Sequence, residues 1–327
     1  MKLGVLGGGA WGTALACASV RAGLETFIWA REAEVVASIN SDHENSMFLS
    51  GTALPEALKA TADLGEFQGA DIILLVTPAQ HLRSMAEALK EHIQDTTRLV
   101  ICSKGIEIST GKLLSDVLAE IFPENPVAVL SGPTFAVEVA RGQPCALTLA
   151  GSDEKIISEI ASAIATPTFR PYQSHDIIGA QIGGAIKNVL AIATGIVSGL
   201  DLGENARAAV ITRGLAEMAR FGDVFGADQE TMMGLSGLGD LILTCSSTQS
   251  RNMSLGKAIG EGQTFSSLMS GRKSVAEGAH TVEIVHQIAI DKGIEMPITA
   301  AVYKILKEDM DVTVVMNDLL SRPITLE

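Results

Sequence analysis

Short apolar runs alternate with helical stretches along the first half of the chain. Apolar runs that end in glycine, serine or threonine are typical of buried strands. The predicted strands are residues 2–6, 25–29, 71–76, 98–102, 126–130 and, as an edge strand, 146–150. Strands that alternate with helices in this way predict a doubly wound α/β sheet.

The pattern changes near residues 169–173, beyond which we find only helical periodicity. The predicted helices span residues 176–200, 204–221, 228–235, 252–260, 264–270, 279–292 and 298–308. The sequence therefore predicts an N-terminal doubly wound domain over residues 1–175 and an all-α domain over residues 176–327.

A glycine motif follows the first predicted strand. Gly7, Gly9 and Gly12 match the pattern G-x-G-x-x-G, and residues 13–21 continue as a helix. The first glycine allows a tight turn, the second a close approach to a pyrophosphate, and the third the packing of helix on strand. This context predicts a Rossmann-type dinucleotide site, and the alternative is a glycine turn with a structural role only.

The end of the second predicted strand reads Trp29-Ala30-Arg31-Glu32. An acidic side chain at this place binds the ribose 2′-hydroxyl of NAD, and a basic one accommodates the 2′-phosphate of NADP. Arg31 therefore favours NADP, or the use of both cofactors. In the alternative interpretation Arg31 is solvated and Glu32 reads the ribose.

The stretch from residue 174 to residue 200 is almost entirely small or apolar, and Lys187 lies at its middle. Ser174 or Asp176 is a suitable N-cap for this helix. A buried lysine needs a partner or a lowered pKa, and a lysine of that kind can act as a general acid or base. Two alternatives remain: a transmembrane span, and a core helix whose lysine reaches solvent.

Three further polar positions fit an anionic substrate. Lys104 and Thr134 follow predicted strands, at the sheet edge where α/β proteins bind ligands. Arg251 stands between Ser250 and Asn252 at the start of a helix, which is a favourable place for a phosphate. Each can equally be an ordinary loop residue or a solvated helix cap.

Composition narrows the possible partners. The chain has 327 residues with a formal net charge of −14, which disfavours nonspecific binding to nucleic acid or anionic membranes. Its four cysteines form no CxxC pair and no metal-ligand cluster, so we expect reduced thiols in a cytoplasmic protein without a metal. The N-terminus does not have the pattern of a signal peptide.

At these residues the chain resembles the bacterial NAD(P)-dependent glycerol-3-phosphate dehydrogenases, and the resemblance runs through nearly the whole length. The segments that carry it are GGGAWGTALA (7–16), SKGIE (103–107), SGPTFAVEVARG (131–142), QIGGAIKNVLAI (181–192), ITRGLAEM (211–218), GLGDLILTC (237–245), QSRN (249–252), VAEG (275–278) and MPIT (296–299). Ala10 stands where many members have serine, and the tail after Pro323 is short.

The resemblance implies a role for each matching position. Lys187 is implied as the catalytic lysine. The implied substrate contacts are Lys104, Gly132, Thr134, Lys187, Asp240, Ser250, Arg251 and Asn252. The implied dinucleotide contacts, beside Gly7, Gly9 and Gly12, are Ala10, Trp11, Arg31, Phe48, Lys104, Ala136, Arg251, Val275 and Glu277.

The family also implies an activity: reversible reduction of dihydroxyacetone phosphate to sn-glycerol 3-phosphate with NADPH or NADH, which supplies a phospholipid precursor. The implied partners are a small phosphorylated three-carbon substrate and a second copy of the chain as a homodimer. One alternative is another lysine-dependent dehydrogenase, of the 6-phosphogluconate or 3-hydroxyacid type. The other is an NADP-binding sensor without enzymatic activity.

Overall fold

The computed structural model describes residues 1–270 and 276–323. The chain forms two compact units. Unit 1 contains Met1–Glu107 and Lys112–Gln181, and unit 2 contains Ile108–Gly111 and Ile182–Glu327.

Unit 1 is built on a sheet of eight strands, with a separate two-stranded hairpin. Its strands are β1 (Lys2–Leu6), β2 (Glu25–Trp29), β3 (Glu44–Asn45), β4 (Leu49–Ala53), β5 (Lys59–Thr61), β6 (Ile72–Leu75), β7 (Arg98–Ile101), β8 (Val127–Ser131), β9 (Cys145–Gly151) and β10 (Phe169–Ser174). The order across the sheet is β10-β9-β8-β7-β6-β1-β2-β5, and β3 pairs with β4 as the hairpin. Within the eight-stranded sheet, neighbouring strands are parallel except β8 and β9, and the hairpin strands β3 and β4 are antiparallel.

The strand order reverses at β1. The chain first extends the sheet to one side through β2 and β5, and then returns to β6 on the other side of β1. In doubly wound sheets, ligands bind beyond the carboxyl ends of the strands at such a reversal. The glycine motif follows β1 directly, so the fold places it at this point of the sheet.

Helices cover both faces of the sheet: α1 (Ala10–Arg21), α2 (Ala33–Asp42), α3 (Leu82–Leu89), α4 (Leu114–Ile121), α5 (Ala136–Ala140) and α6 (Glu154–Ile164). Alternate residues of β6 show the two layers, because Ile72 and Leu74 belong to one buried cluster and Ile73 and Leu75 to the other. A strand buried on both faces needs apolar residues at every position, which is why the parallel strands read as continuous apolar runs.

Two predictions for the sheet were wrong. The strand around residues 146–150 is not at the edge, because β10 pairs with its outer side. The strand at this edge is β10, in the segment where the sequence predicts that the strand pattern ends. Pro171 lies in β10, and proline is tolerated in edge strands because it cannot donate a ladder hydrogen bond. The sequence also does not predict β5 or the β3–β4 hairpin.

Unit 2 is helical in its described residues, as the sequence predicts. Its helices are α7 (Ile177–Gly199), which begins in unit 1, α8 (Gly203–Phe225), α9 (Gln229–Met233), α10 (Asp240–Ser246), α11 (Arg251–Gly260), α12 (Phe265–Ser270), α13 (Glu277–Lys292), α14 (Pro297–Lys307) and α15 (Val312–Leu320). The fold class is therefore the predicted one, a Rossmann-type sheet domain followed by an α-helical domain.

Helices α10 and α15 were not predicted. A π-helical turn, Leu235–Gly239, leads into α10, and its glycines obscure the helical period. Helix α15 opens with four β-branched residues, Val312 to Val315, which favour strands. Asp311 overrides this preference, because its carboxylate accepts hydrogen bonds from the amides of Thr313 and Val314 and so caps the helix.

Glycines let other backbone segments approach α7 closely. A Cβ on Gly183 would lie 2.3 Å from the carbonyl oxygen of Ser236 in the π-helical turn. A Cβ on Gly195 would lie 2.2 Å from the carbonyl oxygen of Met253 in α11. The glycines therefore serve close helix packing.

Helix α7 is long and apolar enough to cross a membrane, but 89% of its apolar window is buried inside the protein. Length and composition of this kind also occur in the core helix of a soluble protein. The burial favours the interpretation of α7 as a core helix over that of a transmembrane span.

Candidate active site

The glycine motif forms a loop that fits a pyrophosphate. Gly7 has φ of 132°, a conformation that favours glycine, and a Cβ on Gly12 would lie 1.9 Å from the carbonyl oxygen of Gly7. Gly9 is the N-cap of α1 and has no side chain that could accept a hydrogen bond from the helix amides. A Cβ on Gly9 would meet no atom within 4 Å. The loop is thus closed toward the protein and open at Gly9. The N-terminal amides of α1 follow this opening, as phosphate binding requires.

The other predicted dinucleotide contacts in unit 1 lie at element ends or in a loop. Ala10 and Trp11 open α1, Ala136 opens α5, and Phe48 lies between β3 and β4 with 39% of its surface exposed. In unit 2, Glu277 is the first residue of α13. Val275 lies outside the described residues.

Arg31 and Glu32 follow β2 and pair with each other. The Nη2 atom of Arg31 lies 2.8 Å from Oε1 of Glu32, and 79% of the arginine side chain is exposed. An exposed guanidinium can turn toward a ligand at little cost, because a surface ion pair contributes about 0–1 kcal/mol. Both candidate readers of the ribose thus lie at the end of the second strand.

Lys104 and Thr134 meet at the carbonyl oxygen of Gly132. The Nζ atom of Lys104 donates to this oxygen at 3.2 Å, and the Thr134 hydroxyl donates to it at 3.4 Å. Gly132 has φ of 158°, and a Cβ there would lie 2.9 Å from the Cα of Leu147. The structure therefore brings together the three substrate residues predicted in unit 1.

Lys187 is buried in unit 2 and held by two side chains of α10. It is 6% exposed, and its Nζ atom lies 2.5 Å from Oδ1 of Asp240 and 2.9 Å from Oγ1 of Thr244. The Thr244 hydroxyl also donates to Oδ1 of Asp240 at 3.3 Å. The interpretation in which the lysine reaches solvent was wrong, because the ammonium group ends in this buried cluster.

Thr244 is not among the site residues that the sequence predicts. The available signal was its spacing, because residues four apart on a helix share a face, and Thr244 lies four positions after Asp240. This spacing is informative only if residues 240–246 form a helix, and the sequence does not predict α10.

The Ser250-Arg251-Asn252 segment opens α11. The Ser250 hydroxyl accepts a hydrogen bond from the Met253 amide and caps the helix, and Arg251 is exposed at its first position. Asn252 is buried; its Nδ2 atom donates to Oδ1 of Asn188 at 2.9 Å, and its Oδ1 atom accepts from the Gly278 amide at 3.0 Å. Asn252 thus ties α11 to α7 and α13, and Arg251 presents a cation at a helix start.

The four cysteines are free, and burial raises the pKa of each thiol. Cys245 directly follows Thr244 of the Lys187 cluster, and burial raises the pKa of its thiol to about 12. Such thiols are weak nucleophiles at neutral pH. Among the described residues we find no group of three or more metal-ligating side chains.

Two family models match: the NAD-dependent glycerol-3-phosphate dehydrogenase N-terminus over residues 2–157, and the C-terminus of the same family over residues 176–317. The glycerol-3-phosphate dehydrogenase (NAD(P)+) of Parvibaculum lavamentivorans is 54% identical, and that of Erythrobacter litoralis 53% identical. Each alignment covers 100% of this chain and 98% of the relative.

Solved structures give the same result. The crystal structure of glycerol-3-phosphate dehydrogenase from Coxiella burnetii superposes with a TM-score of 0.94 at 40% identity, covering 98% of this chain and 99% of that one. The chain therefore belongs to the NAD-dependent glycerol-3-phosphate dehydrogenase family.

Proposed function

We propose that the protein catalyses the reversible reduction of dihydroxyacetone phosphate to sn-glycerol 3-phosphate with NAD(P)H, and so supplies the precursor of glycerophospholipids. The observation that carries this proposal is the buried Lys187, held by Asp240 and Thr244 on one helix. A cation buried this deeply is costly unless it is paired, and a paired lysine that can exchange a proton suits a carbonyl reduction. Family membership favours this reaction over the two alternatives.

The cofactor is NADP or NAD, whose reduced form would supply the hydride for the substrate carbonyl. Gly7, Gly9 and Gly12 would hold the pyrophosphate together with the N-terminal amides of α1. Ala10, Trp11, Phe48, Lys104, Ala136, Arg251, Val275 and Glu277 remain proposed contacts of the dinucleotide. We infer that NADPH is favoured, because Arg31 offers a cation for the 2′-phosphate.

Lys187 is the proposed acid and base. In reduction it gives a proton to the oxygen at C2, and in oxidation it takes the proton back. The Asp240 carboxylate and the Thr244 hydroxyl orient the amine, and the carboxylate stabilises its protonated form. Lys104 would polarise the oxygen at C2, since its ammonium group can donate a hydrogen bond to that oxygen.

Arg251 is the proposed phosphate ligand. It lies at the start of α11, where the exposed amides and the helix dipole favour an anion. Ser250 and Asn252 are proposed substrate contacts through their place beside Arg251, and Gly132 and Thr134 through their place beside Lys104. The acidic chain as a whole repels an anion, so these local cations have to attract the substrate.

The proposal extends to the two domains, the oligomeric state and the location of the protein. We propose that residues 1–175 form the NAD(P)-binding domain, with most of the dinucleotide contacts, and that residues 176–327 form the catalytic domain, with Lys187 and most of the substrate contacts. A homodimer in the cytoplasm, without a bound metal, nucleic-acid partner or stable membrane insertion, is the proposed working form. Light scattering tests the dimer, since a chain of 34.2 kDa should then appear at twice its own mass.

Turnover of purified protein tests the activity. NADPH oxidation should depend on dihydroxyacetone phosphate, and the product should be sn-glycerol 3-phosphate. Turnover of 6-phosphogluconate or a 3-hydroxyacid, but not of dihydroxyacetone phosphate, would support the first alternative. Binding of NADPH without turnover of any of these substrates would support the sensor.

A further inference from the structure

Asn45 is a fully buried polar residue outside the predicted site, in strand β3 of unit 1. It is 0% exposed, and its side chain makes three hydrogen bonds. Its Nδ2 atom donates to the carbonyl oxygen of Gly8 at 2.8 Å and to Oγ1 of Thr13 at 2.8 Å. Its Oδ1 atom accepts from the amide of Phe48 at 3.1 Å. One side chain thus links the glycine loop, the first helix and the hairpin loop.

The bond to Gly8 sets the direction of the next peptide. The described residues contain no cis peptide bond, and in a trans peptide the carbonyl oxygen and the following N–H point in opposite directions. When Asn45 draws the Gly8 oxygen inward, the N–H of Gly9 points outward. Gly9 is the residue whose outer side is open, since a Cβ there would meet no atom within 4 Å. The outward N–H is therefore available to an anion in front of the loop.

The bond to Phe48 acts on the hairpin loop. Phe48 is 39% exposed and lies in the connection between the two short strands β3 and β4. Acceptance of its N–H by Oδ1 of Asn45 fixes the distance between this loop and the glycine loop. A flat ring and a phosphate-binding loop held at a fixed distance suit a ligand that carries both a ring and phosphates.

We propose that Asn45 is a positioning residue for the dinucleotide: it aligns the Gly8–Gly9 peptide for the pyrophosphate and holds Phe48 beside it. The proposal rests on the proposed function, in which a nucleotide binds at the glycine loop. Asn45 itself is buried behind the loop and acts through the backbone that it holds.

Asn45→Asp is the sharpest variant. It keeps the shape and the acceptor for Phe48, but it replaces the donor to Gly8 by an oxygen that repels the Gly8 carbonyl. We expect the Kd for NADPH, from titration of its fluorescence, to rise about tenfold or more, as for a lost buried hydrogen bond. The turnover number at saturating NADPH and substrate should stay within about twofold, because Lys187 is untouched.

Asn125→Asp is the matched control. The Nδ2 atom of Asn125 also donates to two oxygens, the carbonyls of Gln94 and Thr97, at 2.7 and 2.9 Å. Asn125 precedes β8 at the amino edge of the parallel strands, opposite the carboxyl edge where the glycine loop lies. This variant should lower the melting temperature and leave the Kd for NADPH within about twofold.

Thr13→Val provides a milder second variant, because it removes one acceptor of the Asn45 amide and keeps the bonds to Gly8 and Phe48. It should raise the Kd about threefold. An unchanged Kd in both Asn45→Asp and Thr13→Val, or an equal rise in Asn125→Asp, would overturn the positioning role. If the wild-type protein does not bind NADPH at all, the proposed function itself is wrong.

Discussion

Lys187 is the residue whose substitution tests the proposed chemistry most directly. In Lys187→Ala the amine that exchanges the proton is absent, so we expect the turnover number to fall by typically 10²–10⁴-fold. Lys187→Arg should not restore it, because a guanidinium stays protonated near neutral pH. The measurement is turnover of dihydroxyacetone phosphate at saturating NADPH. If Lys187→Ala keeps most of its turnover, the lysine is structural and the mechanism is wrong.

Arg251 tests the phosphate assignment. A hydrogen bond to a charged group is worth about 1.5–3 kcal/mol, so Arg251→Ala should raise the Michaelis constant for dihydroxyacetone phosphate roughly tenfold or more. Lys257→Ala is the matched control, since Lys257 is a cation in the last turn of the same helix. Its Nζ atom lies 3.7 Å from Oε1 of Glu261. Equal Michaelis constants for Arg251→Ala and the wild type would return Arg251 to the role of a solvated helix cap.

Arg31 tests cofactor choice. Arg31→Ala removes the proposed partner of the 2′-phosphate, so the Michaelis constant for NADPH should rise several-fold more than that for NADH. Glu32 loses its ion-pair partner in the same variant and becomes free to accept from the ribose 2′-hydroxyl of NADH. Kinetics with both cofactors measure the ratio. An equal rise in the two Michaelis constants would contradict the assignment of Arg31 to the 2′-phosphate. It would favour Glu32 as the residue that binds the ribose.

At the scale of elements, local patterns predicted the sheet strands buried on both faces and the glycine turn. They failed where long-range pairing decides. Strand β9 is an inner strand because β10 pairs with it, and β10 begins 18 residues after β9 ends. No local pattern around β9 contains that information. The same holds for the partner of Lys187, which α10 supplies after a π-helical turn. The resemblance, rather than any local spacing, implied a role for Asp240.

The glycine loop offers a prediction at this scale, because two of its glycines are needed for different reasons. Gly9→Val should fold, since a Cβ there meets no atom within 4 Å and Gly9 has an extended backbone with φ of −72°. The variant should nevertheless raise the Kd for NADPH about tenfold or more, because the valine side chain fills the space in front of the helix amides.

Gly12→Ala should instead lower the stability of the fold. Its Cβ would lie 1.9 Å from the carbonyl oxygen of Gly7, and overpacking of this kind typically costs 1–3 kcal/mol of stability. Urea unfolding and NADPH titration of both variants separate the two effects. A destabilised Gly9→Val with normal NADPH affinity would show that the open side of the loop is not the phosphate site.

At the scale of the whole molecule, the proposal separates two tasks. The glycine loop in unit 1 would bind the nucleotide, and the lysine cluster in unit 2 would exchange the proton. Such a division predicts that damage to one task leaves the other measurable. It also means that a loss of activity alone does not reveal which task has failed.

Thermal stability in the presence of NADPH tests this separation. A ligand that binds only the folded state adds about 2.7 kcal/mol at a concentration one hundred times its Kd, so the wild-type melting temperature should rise steadily with NADPH. Lys187→Ala should show the same rise despite its lost turnover, because its nucleotide loop is intact. Gly9→Val should show little rise at the same concentrations, although its melting temperature without NADPH is normal. If Lys187→Ala loses the NADPH-dependent rise, Lys187 contributes to nucleotide binding and the two tasks are not separable as proposed.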